Sequence, residues 1–154
     1  LHRQNRGVNE IMAVVKPYSK EITPGLSKMY KDMIEQHIEK YRLINTKVSV
    51  VSPIYVGIEV NAEISLHVNT EENREKVRKT ILDQINYQNL KKPFGNVISY
   101  GKIFTSLESM EEIKRVQELA LEKNGSAALK NDRGDIICQE DALCYVEQLN
   151  IEFD

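Results

Sequence analysis

The sequence predicts an α+β protein, and three observations carry that prediction. First, Ile54, Val56, Ile58, Val60, Ala62, Ile64, Leu66 and Val68 alternate without a break with Tyr55, Gly57, Glu59, Asn61, Glu63, Ser65 and His67. This is the period of a strand with one dry face and one wet face. Second, helical patterns flank that strand, over 26–41 and 70–90. Third, short apolar segments separated by turn signals close the chain beyond residue 124.

Taken in order, 8–16 is a short β-branched run (Ile11, Met12, Ala13, Val14, Val15) ended by Pro17, and reads as a strand. Over 26–41 the apolar residues Met29, Tyr30, Met33, Ile34, Ile38 and Tyr41 make one amphipathic stripe, begun by Thr23-Pro24 or by Ser27. Over 46–52 the residues are again β-branched, and Pro53 breaks the run because it cannot donate to a ladder. Two antiparallel strands meeting at Ser52-Pro53 are expected, with one bent strand as the alternative. The second strand is long, with room for a bulge at Gly57 and for pairing with another chain.

Asn69 and Glu72 have capping-box spacing, and Val77, Ile81, Leu82 and Ile85 form the inner side of the helix that follows. Its basic residues Arg74, Lys76, Arg78 and Lys79 are interleaved with Glu71, Glu72, Glu75 and Asp83, the pattern of a solvated face. A short helix over 100–110 follows, capped by Ser99, then a strand over 114–122. A hairpin at 127–130 and 136–138 and a final strand through Tyr145, Leu149, Ile151 and Phe153 complete the chain. The order β-α-β-β-α-(α)-β matches a ferredoxin-like split βαβ core with a small C-terminal β appendix. On this reading residues 1–123 are the core and 124–154 the appendix. Residues 1–7 are a disordered lead-in or the tail of an upstream region. The chain starts with Leu and has no apolar leader segment, so it is expected to be a piece of a longer protein.

Composition narrows the function. Of 154 residues, 41% are hydrophobic and 29% charged, the net charge is -2, and no apolar run approaches the roughly 18 residues of a membrane span. No basic excess favours nucleic acid. His2, His37 and His67 have no metal-ligand spacing; His37 reads as a half-buried core histidine and His67 as an exposed one. Cys138, at the end of the apolar run Ile136-Ile137, reads as a buried structural thiol; with Cys144 six residues on the pair could bridge a loop, but two cysteines make no disulfide framework. Glu59 and Glu63 lie roughly 13 Å apart along an extended strand, too far for a glycosidase pair. An RNA-binding surface would need aromatics beside basic residues, whereas the wet face offers Tyr55 beside two glutamates. No catalytic residue, cofactor, metal, nucleic-acid, membrane or small-molecule partner is expected.

The wording of the segments adds a resemblance. Tyr41-Arg42-Leu43-Ile44-Asn45-Thr46-Lys47-Val48-Ser49-Val50-Val51-Ser52-Pro53-Ile54-Tyr55-Val56 resembles the C-terminal region of baseplate J-like proteins, wedge subunits of contractile phage tails and related injection machines. Lys92-Pro93-Phe94-Gly95-Asn96-Val97-Ile98-Ser99-Tyr100 is similar to the family's Pro-Phe-Gly turn. Ile113-Lys114-Arg115-Val116-Gln117-Glu118-Leu119 is similar to its later strand, and Gly134-Asp135-Ile136-Ile137 with Ala142-Leu143 to its end. Glu112-Ile113 stands where the family commonly has Gly-Val, keeping the apolar position.

The resemblance implies a structural protein of a phage, prophage or phage-derived tail baseplate, not an enzyme. It would sit in the virion baseplate and contact other wedge subunits and copies of itself. The family motifs carry over no interface residues. Because unpaired strand edges invite strand addition, the expected assembly surfaces are the exposed end of the long strand and the 125–154 appendix, with Tyr55, Glu59, Asn61, Glu63, Ile151 and Phe153 as the candidate residues. The competing reading is a small-molecule-binding regulatory domain of ferredoxin-like fold. That reading would be favoured by glycines after the first strand, but Lys16 to Gly25 has glycine only at its far end. A third reading is a hydrolase whose site lies in an upstream part.

Overall fold

A computed structural model describes residues 2–5, 10–43 and 46–154, the first four as backbone. Val8, Ile44 and Asn45, which enter the readings above, lie outside the described residues. The class is α+β, as the alternation and helical periods predict. The chain divides into two compact units, Leu1–Ile54 and Tyr55–Asp154. They part at 54/55, where a join at 123/124 was expected.

In the first unit, β1 (His2–Asn5) runs antiparallel to β2 (Glu10–Val14). A strand therefore stands within 1–7, where a disordered lead-in was one of the two expectations. β2 leads through α1 (Lys28–Glu39) to β3 (Lys47–Val51) and pairs with it in parallel. Parallel neighbours need a crossover, and α1 supplies it. Ser27 caps α1, its hydroxyl oxygen accepting from Tyr30 N–H at 3.2 Å. Glu35 accepts from Val50 N–H at 2.9 Å, which ties the helix to β3.

The predicted stripe on α1 is only partly buried. Ile34 and Ile38 are half-buried, but Met29, Tyr30, Met33 and Tyr41 are exposed, Met29 by 70% and Tyr41 by 76%. The apolar positions of this helix occupy two flanks, and one three-stranded sheet can cover only one. His37 is likewise exposed, its ring 5.6 Å from that of Tyr41, and not a core residue.

The second unit runs β4 (Ile54–Leu66), α2 (Glu71–Ile85), a 3-10 turn (Tyr87–Asn89), β5 (Val97–Ile98), α3 (Tyr100–Glu108), β6 (Ile113–Lys123), β7 (Ala128–Lys130), β8 (Ile136–Cys138) and β9 (Ala142–Phe153). β4 is the middle strand of the sheet β6-β4-β9, and β5-β8-β7 form a smaller sheet. A single split-βαβ sheet was expected. Instead β3 and β4 fall in different sheets, so they are neither an antiparallel pair nor one bent strand. Proline 53 ends one ladder and the next begins in another sheet.

β4 pairs antiparallel with β6, with register shifts at Glu63/Ile64 and Ser65/Leu66 and none at Gly57. At the other edge, Asp154 N–H donates to Ile64 O at 3.3 Å and Leu66 N–H donates to Asp154 O at 3.0 Å. Two bonds bracketing one residue make the slanted pattern of a parallel pair, so β9 runs parallel to β4.

The dry face of β4 follows the alternation from Val56 to Leu66. Ile54 and Val68, the two end positions of the predicted row, are exposed because they lie at or beyond the ends of the strand. Val56, Ile58, Val60, Ala62, Ile64 and Leu66 are buried and join one cluster with Val77, Ile81 and Ile85 of α2 and Ile103 and Leu107 of α3. Leu82, placed on the inner side of α2, is half-buried. Thr70, rather than Asn69, caps α2, accepting from Asn73 N–H at 3.3 Å, with Glu71 and Glu72 favourably placed in the first turn. The basic face of α2 is solvated and paired: Arg74 meets Glu71, Lys76 meets Glu72 and Glu112, and Arg78 meets Glu71 and Glu75.

The expected hairpin is present as β7 and β8. Its turn relies on Gly134, whose φ of 82° lies where L side chains are strained. Asp135 fastens that turn to α3, accepting from Tyr100 N–H at 2.9 Å and from the Asn131 side chain at 3.1 Å. These bonds, the Asn131 bond foremost, hold its carboxyl below the usual range. The two cysteines are joined as a disulfide, Cys138–Cys144, correcting the free-thiol reading. The tight turn closed by Ala142 N–H to Gln139 O at 2.9 Å returns the chain and brings them together.

Three outcomes test this unit. Ile64→Ala should cost about 3 kcal/mol, because it empties a fully buried site on the middle strand. Leu129→Ala, at an exposed position, should stay within about 0.5 kcal/mol by denaturant unfolding. Reducing the Cys138–Cys144 bridge should lower unfolding free energy by about 2 kcal/mol, the chain-entropy value for so short a loop, measured with and without a thiol-free reductant.

Candidate functional site

The residues expected to form one surface fall into three groups. Glu59, Asn61 and Glu63 stand on the open face of the β6-β4-β9 sheet, Glu59 and Asn61 half-buried and Glu63 exposed. Asn61 donates to Glu59 at 3.0 Å and accepts from Asn150 of β9 at 2.9 Å. Tyr55 shares that side of β4 but is half-buried at its end, with its ring 5.8 Å from that of Tyr87. Burial, then the neighbouring Tyr87 and a hydrogen bond to it, pushes the Tyr55 hydroxyl up to about 12. Ile151 and Phe153 face the other way, packing against the core. The guanidinium carbons of Arg74 and Arg78 stand 5.7 and 5.6 Å from the centre of the Phe153 ring.

The register adds residues that single-strand alternation could not reveal. Glu59 stands opposite Glu122, and Glu63 opposite Glu118. In the parallel pairing, Asn61 meets Asn150 and Ser65 is bracketed by Asp154, which sets Glu152 beside Glu63. Glu118, Glu63 and Glu152 therefore form one row across three strands. Glu147 covers Gly57 on the same side and bonds Asn124. Like charges directly opposite one another destabilise a sheet. The nearby bases are Lys130, paired with Glu122, and Arg115 and Lys114 at the Ser65 end. The signal in the sequence was the alternation Glu118-Leu119-Ala120-Leu121-Glu122, which becomes a shared face only once the register is known.

The outer edge of β9 pairs with no strand among the described residues. Asn86 accepts from Val146 N–H at 2.8 Å and so covers the start of this edge. In the 1–54 unit, an apolar groove of about 370 Å³ is lined by Ile11, Ala13, Ile38, Tyr41, Leu43 and Val48 among others. Among the described residues, no group of three or more His, Cys, Asp or Glu is placed to hold a metal, and no helix is long and apolar enough to cross a membrane.

The fold has a known counterpart. A chain in the cryo-EM structure of the anti-feeding prophage baseplate, six-fold symmetrised, superimposes with a TM-score of 0.65 over 93% of this chain, at 16% identity. This chain spans 29% of that one. The likeness is one of fold. No protein-family model matches the chain, and no curated protein matches it.

The Tyr55–Tyr87 contact makes a pH prediction. A tyrosine whose folded pKa is raised contributes stability that is complete below about pH 10 and is lost as pH rises through the folded value near 12. Ultraviolet titration should show a tyrosinate step near pH 12 that disappears in Tyr55→Phe.

Proposed function

We propose that this chain is a structural part of the tail baseplate of a phage or phage-like contractile machine, working by protein–protein assembly into a wedge or ring. The observation that carries the reading is the fold likeness to a chain of the anti-feeding prophage baseplate across 93% of these residues. The segments resembling baseplate J-like proteins point the same way. The proposed partners are other wedge subunits and copies of itself, the proposed location is the virion tail, and the role is mechanical, with no reaction catalysed. Interfaces in such a ring would hold one arrangement before contraction and another after it, storing and releasing conformational free energy.

The proposed assembly surface comprises Tyr55, Glu59, Asn61 and Glu63 on the open side of β4, and the edge of β9 at Ile151 and Phe153. The face offers charge and hydrogen-bonding groups, while the edge offers unpaired backbone for strand addition. The side chains of Ile151 and Phe153 serve the core, so their part in assembly is through the backbone.

Recovery of the full-length protein from producing cells tests the reading. Tail sheath, tube or spike proteins should co-purify with it, and Glu59→Lys with Glu63→Lys should reduce their recovery at least several-fold while leaving the melting temperature within a few degrees. A free protein carrying a bound metabolite would overturn the baseplate reading in favour of ligand binding.

A further inference from the structure

The two units carry opposite charge. Residues 1–54 hold nine Lys and Arg against five Asp and Glu, a net of +4. Residues 55–154 hold twelve against eighteen, a net of -6, and together these make the chain's -2. The negative charge is not evenly spread. The open face of β6-β4-β9 carries the row Glu118–Glu63–Glu152 and the opposed pair Glu59 and Glu122. In the first unit Lys20, Lys28, Lys40 and Lys47 are exposed.

We infer that this open acidic face docks the positively charged 1–54 unit of a second copy of the chain, head to tail. Charge complementarity chooses the occupant. Two acidic faces set directly against each other would repel, so the face meets the basic unit of a second copy rather than that copy's own acidic face. Face against the basic unit is attractive, and an unreciprocated contact of this kind leaves each copy with one free face and one free basic unit. Such a heterologous contact repeats, closing into a ring when the rotation allows and otherwise running on as a filament. Docking also answers the standing cost of like charges opposed across β4 and β6, since a partner's lysines would neutralise them. The inference deepens the assembly reading and rests on it in taking a protein as the occupant.

Sedimentation velocity on the purified chain, with charge-swapped variants, tests the contact. The wild type should self-associate at about 0.1 M salt and weaken at least tenfold by about 1 M, as the screening length falls from about 10 Å to about 3 Å. One variant reverses the face (Glu63→Lys, Glu118→Lys, Glu152→Lys). The other reverses the basic unit (Lys20→Glu, Lys28→Glu, Lys40→Glu). Each alone should be monomeric with wild-type circular dichroism, and an equimolar mixture of the two should associate again. A wild type that stays monomeric at low salt, association insensitive to salt, association abolished by a chelator of divalent cations, or a mixture that stays monomeric would each overturn the contact. Recovery of tail proteins from cells bears separately on the baseplate reading, so failure here with tail proteins recovered would sink the contact alone.

Discussion

The structure depends on the dry side of β4. Six alternate residues, Val56 to Leu66, are buried on one side of the middle strand of the larger sheet. At about 25 cal/mol per Å² of apolar surface removed from water, that row is a large part of the driving force for the 55–154 unit. α2, α3 and the small β5-β8-β7 sheet contribute their inner residues to the same cluster. A one-residue slip of β4 would turn all six outward and put Glu59 and Glu63 inside, so the register is set strongly.

That constraint also explains the opposite side of the strand. Once the apolar residues face inward, Glu59, Asn61, Glu63 and Ser65 must face outward, and the partners in β6 and β9 place Glu118, Glu122 and Glu152 beside them. The hydrogen bonds among Glu59, Asn61 and Asn150 order this surface without neutralising it. A carboxylate-rich sheet face stands above a well-packed core: the inner side holds the fold, and the outer side is the one proposed for assembly.

The 1–54 unit follows a different logic. Its sheet is small, its fully buried side chains are few and modest in size, Ala13, Val14 and Val50 among them, and α1 is tied to β3 through Glu35 as well as through Ile34 and Ile38. The helix has more apolar surface than this sheet can cover, which leaves Met29, Tyr30 and Met33 in solvent. Contiguous apolar exposure of this kind is characteristic of surfaces that meet other proteins, in keeping with a role in assembly.

Local chemistry was legible in the sequence. The β4 alternation, the break at Pro53, the Ser27 and Ser99 caps, the hairpin around Gly134 and the apolar positions of α2 and α3 each follow from contacts within a few residues, where periodicity and turn propensity act directly. The acidic face was half legible: Glu59 and Glu63 are visible on one strand, whereas Glu118, Glu122 and Glu152 join them only through pairing. What tertiary structure decided was everything that compares distant segments. It assigned β3 and β4 to separate sheets, set β9 parallel to β4, left one flank of α1 uncovered, turned Ile151 and Phe153 toward the core and brought Cys138 to Cys144. A residue's own pattern states that it has an apolar side. Which surface covers that side, and whether enough of it exists, depends on the rest of the chain.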